Sequence, residues 1–512
     1  MTASRQLRPA TAPLLSGKET GGDGRRTAVV FTTILLVTAV LLLYRLGSVS
    51  WTWDEQNDMQ IVACLERSHD PFACLDDITQ TRLPFYIHAV VALLAPSDAA
   101  HYVISAVFAL ANVVLVFVLA RSRFGSRTAL LAMALVATAP AVLASGRMLL
   151  SHSNVILTTF TLATVTAYDR FDRTADVRFF LLSAAALGLA VASSVLGVFT
   201  ALVVACYWLS NPQRRRWWQP LAYAAVTAAV FLASTLIYLR PTNLATFVEV
   251  AFEAKAFPEW NYLQLGTNQA PRWYSLLLFP VSIGPWWCAL FSVAPVVLRR
   301  STVGEGARRC AVAIWVACLA YLVLKSGVFR YDAPHQQVAW HPLVFVVVAA
   351  TATELIRRTG RLRVVALSAL VAFGAVQLYD THRFFPNYLF HGAQYGTRFI
   401  GEFYGPAVFH AQDREGIDLH LDAIVAADPG VRILMADNNA FQRTDEHFVS
   451  FTRRDPGRTY EFAVVDRLYA THFRFRERDE YNAFLARHYT VVHTHYFPTQ
   501  KWAYRILRVR PG

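Results

Sequence analysis

The chain has 512 residues, of which 55% are hydrophobic and only 16% charged, against roughly 25% charged in an average soluble protein. Mean hydropathy is positive at +0.34, which excludes a disordered, fibrous or ordinary soluble protein and points to a polytopic membrane protein with a soluble part. The formal charge of +13 reads either as nucleic-acid binding or as membrane topology, and its distribution decides.

A span needs about 20 mostly apolar residues. After a polar, basic leader (1–27) the first such run lies near 28–46. No small-residue cleavage site follows it before Trp51, so it reads as a retained anchor. Ten more runs lie near 101–120, 129–146, 151–168, 178–195, 197–210, 219–238, 273–297, 310–325, 341–356 and 364–380. The stretch 84–96 is short and opens with Pro84, which suits an interfacial or re-entrant helix. Eleven spans with the N-terminus inside put every short basic cluster on the cytoplasmic side, as the positive-inside rule requires. Those segments hold 22 Lys and Arg against 6 acids. The basic balance is thus a topology signal, and nucleic-acid binding loses support.

Outside lie a first loop (47–100), shorter loops at 239–272 and 326–340, and a tail from 381. In the tail, Val431–Ala436, Glu461–Val465, Thr490–His495 and Trp502–Val509 alternate like strands, while Leu419–Ala427 and Asp479–His488 read as helices. The expected architecture is a polytopic α-helical membrane domain (28–380) followed by a small α/β extracytoplasmic domain (381–512).

The first loop carries eight Asp and Glu against two Arg and begins Trp51-Thr52-Trp53-Asp54-Glu55. A carboxylate pair at a membrane–water boundary is pushed toward being a better base by desolvation and by its like-charged neighbour. A solvated first helical turn, where acids are common, is the competing explanation of Asp54-Glu55. Cys64 and Cys74 share this loop; they form a bracing disulfide if it faces an oxidising compartment, and otherwise stay as two thiols. Cys206, Cys288, Cys310 and Cys318 lie in or at the ends of spans and read as small packing residues.

Residues 51–170 resemble the type C glycosyltransferases of the dolichyl-phosphate-mannose–protein mannosyltransferase group, whose bacterial relatives include the lipid A aminoarabinose transferase. The carrying features are Asp54-Glu55 just after the first span and the Pro-led segment Arg82-Leu83-Pro84-Phe85-Tyr86. A span then ends Ala120-Arg121-Ser122-Arg123-Phe124-Gly125-Ser126-Arg127, and the next ends Ala139-Pro140 and leads to an exposed Arg147. The resemblance implies an enzyme that takes a sugar from a polyprenyl-phosphate carrier at the outer face, with Asp54 as base and Glu55 beside it. The family often has His-Pro-Pro where this chain has Thr81-Arg82-Leu83-Pro84, and an Asp where it reads Ser151-His152-Ser153-Asn154; Arg82, His152 and Asn154 are the candidates to support the acceptor there.

A phosphate donor calls for cations at the outer interface. Lys325 and Arg330 in Lys325-Ser326-Gly327-Val328-Phe329-Arg330 rank first, followed by Arg272 and Arg147; His341-Pro342 completes the family-like layout. Each cation alone is explained equally well as an interface anchor. Asp332 is the one carboxylate near His335 and His341, too few ligands for a metal, so no cofactor is expected and a divalent cation has no support. Phe384–Gly392 suits a lip at the interface, or a plain linker. The expected partners are a polyprenyl-phosphate-linked sugar, membrane lipid, and an envelope glycan, lipid or protein as acceptor. A transporter or flippase, and a non-enzymatic envelope protein, are the rival readings; the scarcity of charge in mid-span argues against transport.

Overall fold

The computed structural model describes residues 21–43, 46, 53–68, 83–95, 97–147, 154–212, 215–235, 276, 279–280, 283–328, 337–357, 360–390, 414–435, 447–451, 454–466, 478–496 and 502–511. Within these, the side chains of several stretches, including 53–60, 325–328 and 379–390, lie outside the description.

The chain is mostly helical. In order run α1 (Gly21–Leu43), α2 (Trp53–Ser68), α3 (Leu83–Leu94), α4 (Asp98–Phe124), α5 (Ser126–Ala137), α6 (Pro140–Ser145), α7 (Val155–Thr174) and α8 (Val177–Ser193). A 3-10 turn (Val195–Phe199) leads into α9 (Thr200–Ser210) and α10 (Gln219–Thr235). Then come α11 (Pro285–Arg299), α12 (Glu305–Val328), α13 (His341–Arg357) and α14 (Arg361–Phe390). Among the described residues five helical stretches are long and apolar enough to cross a membrane: Gly24–Leu43, Ala99–Phe124, Glu305–Leu324, Val338–Arg357 and Arg361–Leu378. Six shorter apolar helices accompany them.

The punctuation is local chemistry. Gly125 takes φ 85° between α4 and α5, a conformation glycine adopts without a Cβ penalty. The run read as one span at 129–146 is divided at Thr138-Ala139, ahead of Pro140, which has no N–H to continue the ladder. The run 273–297 likewise contains Gly284 at φ 102° and Pro285 at the first position of α11.

α13 is the hub. It is apolar on all sides and buried along nearly its whole length, as a helix surrounded by other helices must be. α1 and α14 instead leave apolar residues exposed, such as Leu36, Val40, Val365 and Val371. Two buried polar knots tie the bundle. Gln377 on α14 accepts from Trp287 Nε1 (2.6 Å) and donates to Leu135 O (2.8 Å) and Thr138 Oγ1 (2.7 Å), joining α14, α11 and the end of α5. At the ends of α4, α7 and α9, Asp169 accepts from Arg123 Nε, Ser122 Oγ (3.2 Å) and Tyr207 OH (3.1 Å). Beside it, Asp172 accepts from Arg123 Nη2 (3.1 Å) and Asn211 Nδ2 (2.6 Å).

The C-terminal part contains α15 (Arg414–Ala427), β1 (Ile433–Met435), β2 (Phe448–Ser450), β3 (Phe462–Asp466), α16 (Arg478–His488), β4 (Tyr489–Tyr496) and β5 (Trp502–Val509). The sheet order is β2-β1-β3-β5-β4. β1 is parallel to β2 and β3, while β5 is antiparallel to β3 and β4. Tyr481 of α16 donates to Val464 O (2.8 Å), and Phe451, Tyr460, Leu485 and Leu507 pack around it. His493 on β4 lies against His420 of α15, with ring centroids 4.0 Å apart.

Candidate functional site

The ends of α1, α4, α6 and α7 converge on one apolar cluster of Leu42, Ala106, Ala109, Leu143 and Val155. Gly146 sits at its centre. A Cβ there would stand 2.6 Å from Ala109 Cβ and 2.7 Å from Leu42 Cδ2, so only a bare backbone lets the chain pass between α1 and α4. The next residue, Arg147, is buried, which corrects the exposed placement expected from the sequence. Its Nη1 donates to Leu41 O (2.8 Å) and Leu42 O (3.1 Å). Those carbonyls end α1, where the last turn of a helix lacks donors and carries negative dipole charge. Burial of this cation follows from that need, which sequence spacing does not display.

α2 leaves this end of the bundle and packs on α3 and on the start of α4. Val62 contacts Tyr102, with Leu46 alongside. Asp54 and Glu55 lie in the first turn of α2; their side chains lie outside the described residues. Cys64 of α2 is disulfide-bonded, and Cys74 lies outside the described residues. The other four cysteines are free.

A polar triad that sequence reading missed joins α2, α3 and α4. His101 Nε2 lies 3.2 Å from Glu66 Oε1, and His101 Nδ1 lies 3.0 Å from His88 Nδ1. Both rings are fully buried. Burial first, then the neighbouring His101, pulls the His88 imidazole down to about 3, so the ring is neutral across the physiological range. The available signal was a histidine in an otherwise apolar helix, Leu83–Leu94.

The remaining candidates divide as follows. Asn154 precedes α7 in the left-handed region at φ 52°, which Asn tolerates better than most residues, and its carbonyl accepts from Thr158 N (3.0 Å) and Thr158 Oγ1 (2.8 Å). His341 is buried at the start of α13, edge-on to Phe279 with centroids 6.1 Å apart. Lys325 lies in the last turn of α12, its side chain outside the described residues. Arg82, His152, Arg272 and Arg330 lie outside the described residues altogether. Phe384–Phe390 continues α14. Among the described residues no group of three or more His, Cys, Asp or Glu side chains could hold a metal ion.

Comparison with known proteins bears on the fold. Residues 82–238 match the family model described as dolichyl-phosphate-mannose-protein mannosyltransferase; the match begins at Arg82 and so leaves out Asp54-Glu55. The fold is similar to that of ArnT from Cupriavidus metallidurans bound to undecaprenyl phosphate, with a TM-score of 0.54 at 15% identity over 95% of this chain and 99% of that one. The apo state of the same protein gives 0.53 at 16% identity over 96% and 100%. The archaeal oligosaccharyltransferase AglB from Archaeoglobus fulgidus, in complex with an inhibitory peptide and a dolichol-phosphate, gives 0.53 at 12% identity over 95% and 74%. No curated protein sequence matches the chain. The resemblance read from residues 51–170 therefore holds: the chain carries the fold of the type C glycosyltransferases.

Proposed function

We propose that this protein is a membrane glycosyltransferase that moves a sugar from a polyprenyl-phosphate carrier to an extracytoplasmic glycan, lipid or protein. The observation that carries the reading is the fold likeness over nearly the full length of both chains to a protein bound to undecaprenyl phosphate. The family match at 82–238 supports it independently. In this reading the membrane domain crosses eleven times with the N-terminus inside, and the sheet-bearing C-terminal domain (381–512) stands outside.

Asp54 removes the proton from the acceptor hydroxyl or amine as that atom attacks C1 of the sugar, with Glu55 beside it keeping the base strong. The C1–O bond breaks, its electron pair leaves with the polyprenyl phosphate, and the sugar is inverted at C1. Lys325, Arg330 and Arg272 stabilise the charge that grows on the leaving phosphate. Arg147 serves the site through the scaffold, because its guanidinium holds the end of α1 from which α2 departs.

The test uses the purified full-length chain in nanodiscs. Undecaprenyl phosphate loaded with radiolabelled mannose or arabinose is added with an envelope acceptor fraction. Movement of label out of the lipid phase, with release of undecaprenyl phosphate, is the expected result. Binding of neither lipid and no movement of label would refute the reading.

A further inference from the structure

The end of the bundle that holds the charge knot has an outer surface with no part in the transfer reaction. The end of α7, the start of α8 and the turn from α9 to α10 meet there over one aromatic cluster. Phe180 packs against Phe171, Tyr223 and Trp218, with ring centroids 5.2, 5.4 and 6.1 Å away. Gln219 Oε1 closes the α9–α10 turn, accepting from Trp208 Nε1 (3.0 Å) and Arg216 N (3.1 Å). Three separate elements therefore present a single surface.

Its charge is sorted by depth. Between 167 and 222 the acids are Asp169, Asp172 and Asp176. The first two are buried in the knot, and Asp176 caps α8 by accepting from Arg178 N (2.9 Å). Arg170, Arg178, Arg215 and Arg216 are exposed, and none of them is ion-paired among the described residues. Arg170 lies over the Phe179 ring, 4.4 Å from its centroid, and Arg215 over that of Trp208 at 5.9 Å. A guanidinium resting on a ring keeps its N–H fork for a phosphate. Beside these arginines, Trp217 is 82% exposed.

The neighbouring side chains indicate what covers this surface. Leu181 and Leu182 follow Arg178 by one turn of α8, Leu221 follows Trp217 by one turn, and all three are exposed. Those apolar flanks are what the hydrocarbon of a bilayer covers, so the arginines and Trp217 stand at its rim, level with the headgroups. Tryptophan favours that boundary, and arginine pairs with phosphate oxygens through parallel hydrogen bonds. An acidic protein segment would match the charge and leave the leucines uncovered.

We propose that this surface binds anionic phospholipid headgroups, with Arg170, Arg178, Arg215 and Arg216 on the phosphates and Trp217 set into the boundary. The inference goes beyond the transferase reading and does not depend on it.

The experiment is native mass spectrometry of the full chain with equimolar phosphatidylglycerol and phosphatidylcholine. Wild type should retain phosphatidylglycerol in preference, and less so as ammonium acetate rises. An arginine near an anionic lipid surface is worth about 5-fold in binding, so Arg215→Gln/Arg216→Gln should lower the preference about 5-fold or more. Arg170→Gln/Arg178→Gln should do the same, and it carries the test if the first variant fails to fold. Arg361→Gln/Arg363→Gln removes two exposed charges from the start of α14, at the same end of the bundle, and should lower the preference much less. In nanodiscs, phospholipid brominated near the top of the acyl chain should quench wild-type fluorescence more than that of Trp217→Phe. Absence of preference in wild type overturns the inference, as does an unchanged preference in both folded arginine variants. Equal losses in the α14 variant also overturn it, because the whole basic end then acts without a local site. Equal quenching in Trp217→Phe overturns it too, the result expected if a protein partner covers the surface. Sugar transfer is assayed separately, so its failure and the failure of this inference are told apart.

Discussion

Replacing Asp169 by Leu isolates what the buried charge knot contributes. Asp169 and Arg123 are both almost fully buried, with side-chain exposures of 1% and 7%. Leu removes the carboxylate that accepts from Arg123 Nε and Tyr207 OH, while Ser122 Oγ keeps Leu119 O as its acceptor at 2.8 Å. Removing one partner of a buried pair costs about 3–5 kcal/mol. Asp172 remains 3.1 Å from Arg123 Nη2, so the lower end, about 3 kcal/mol, applies. The double variant Asp169→Leu/Arg123→Met removes both charges of the pair. It should lose less than the sum of the two single variants by about 1–3 kcal/mol. The assay is unfolding of the four proteins in one detergent, followed by tryptophan fluorescence. The knot lies at the end of α7 opposite Asn154 and at the end of α4 opposite His101, so the folded fraction of each variant should keep its kcat. A single variant within about 1 kcal/mol of wild type, or strict additivity, would refute this account of the knot.

Other consequences follow from single contacts. Gly146→Ala forces a Cβ into Ala109 and Leu42 and should cost about 1–3 kcal/mol as an overpacked site, with loss of transfer because α1 and α4 separate; a thermal scan and an activity assay check both. Gln377→Leu strands Trp287 Nε1 and should lower stability by about 1–3 kcal/mol, the cost of a buried unsatisfied donor, seen as a lower melting temperature with unchanged KM. His88 titrates near 3 in the folded protein against an ordinary 6.5. Between those values the unfolded chain binds the proton and the folded chain does not, so stability should fall as pH drops from 6.5 toward 3. Unfolding of His88→Gln measured across that window should show a flatter pH dependence than wild type.

Much of the helical layout was legible because hydropathy and breakers are local. His341–Arg357 was read as 341–356, and the strand Trp502–Val509 was read with its own bounds, since alternation over eight residues is a strong signal. β2, only Phe448–Ser450, is too short to alternate visibly and owes its existence to pairing with β1. The helix 84–96 came out as Leu83–Leu94. Site geometry was less legible. Arg147 looked like an exposed cation because its partners, Leu41 O and Leu42 O, are backbone atoms about a hundred residues earlier. The triad was invisible because Glu66 and His101 lie 35 positions apart and meet only once α2 folds onto α4. The acidity of the first loop pointed toward α2, but which of its carboxylates does chemistry is a matter of placement that composition does not encode.

The measurement that bears most directly on the transferase account is a single-turnover comparison of wild type with Asp54→Asn, using undecaprenyl phosphate carrying labelled mannose or arabinose. Asn keeps the size of the side chain and removes its basicity. The account predicts that Asp54→Asn still binds the lipid while transfer falls about 100-fold or more, the range expected for loss of a general base. Transfer at the wild-type rate by a folded Asp54→Asn protein would contradict it.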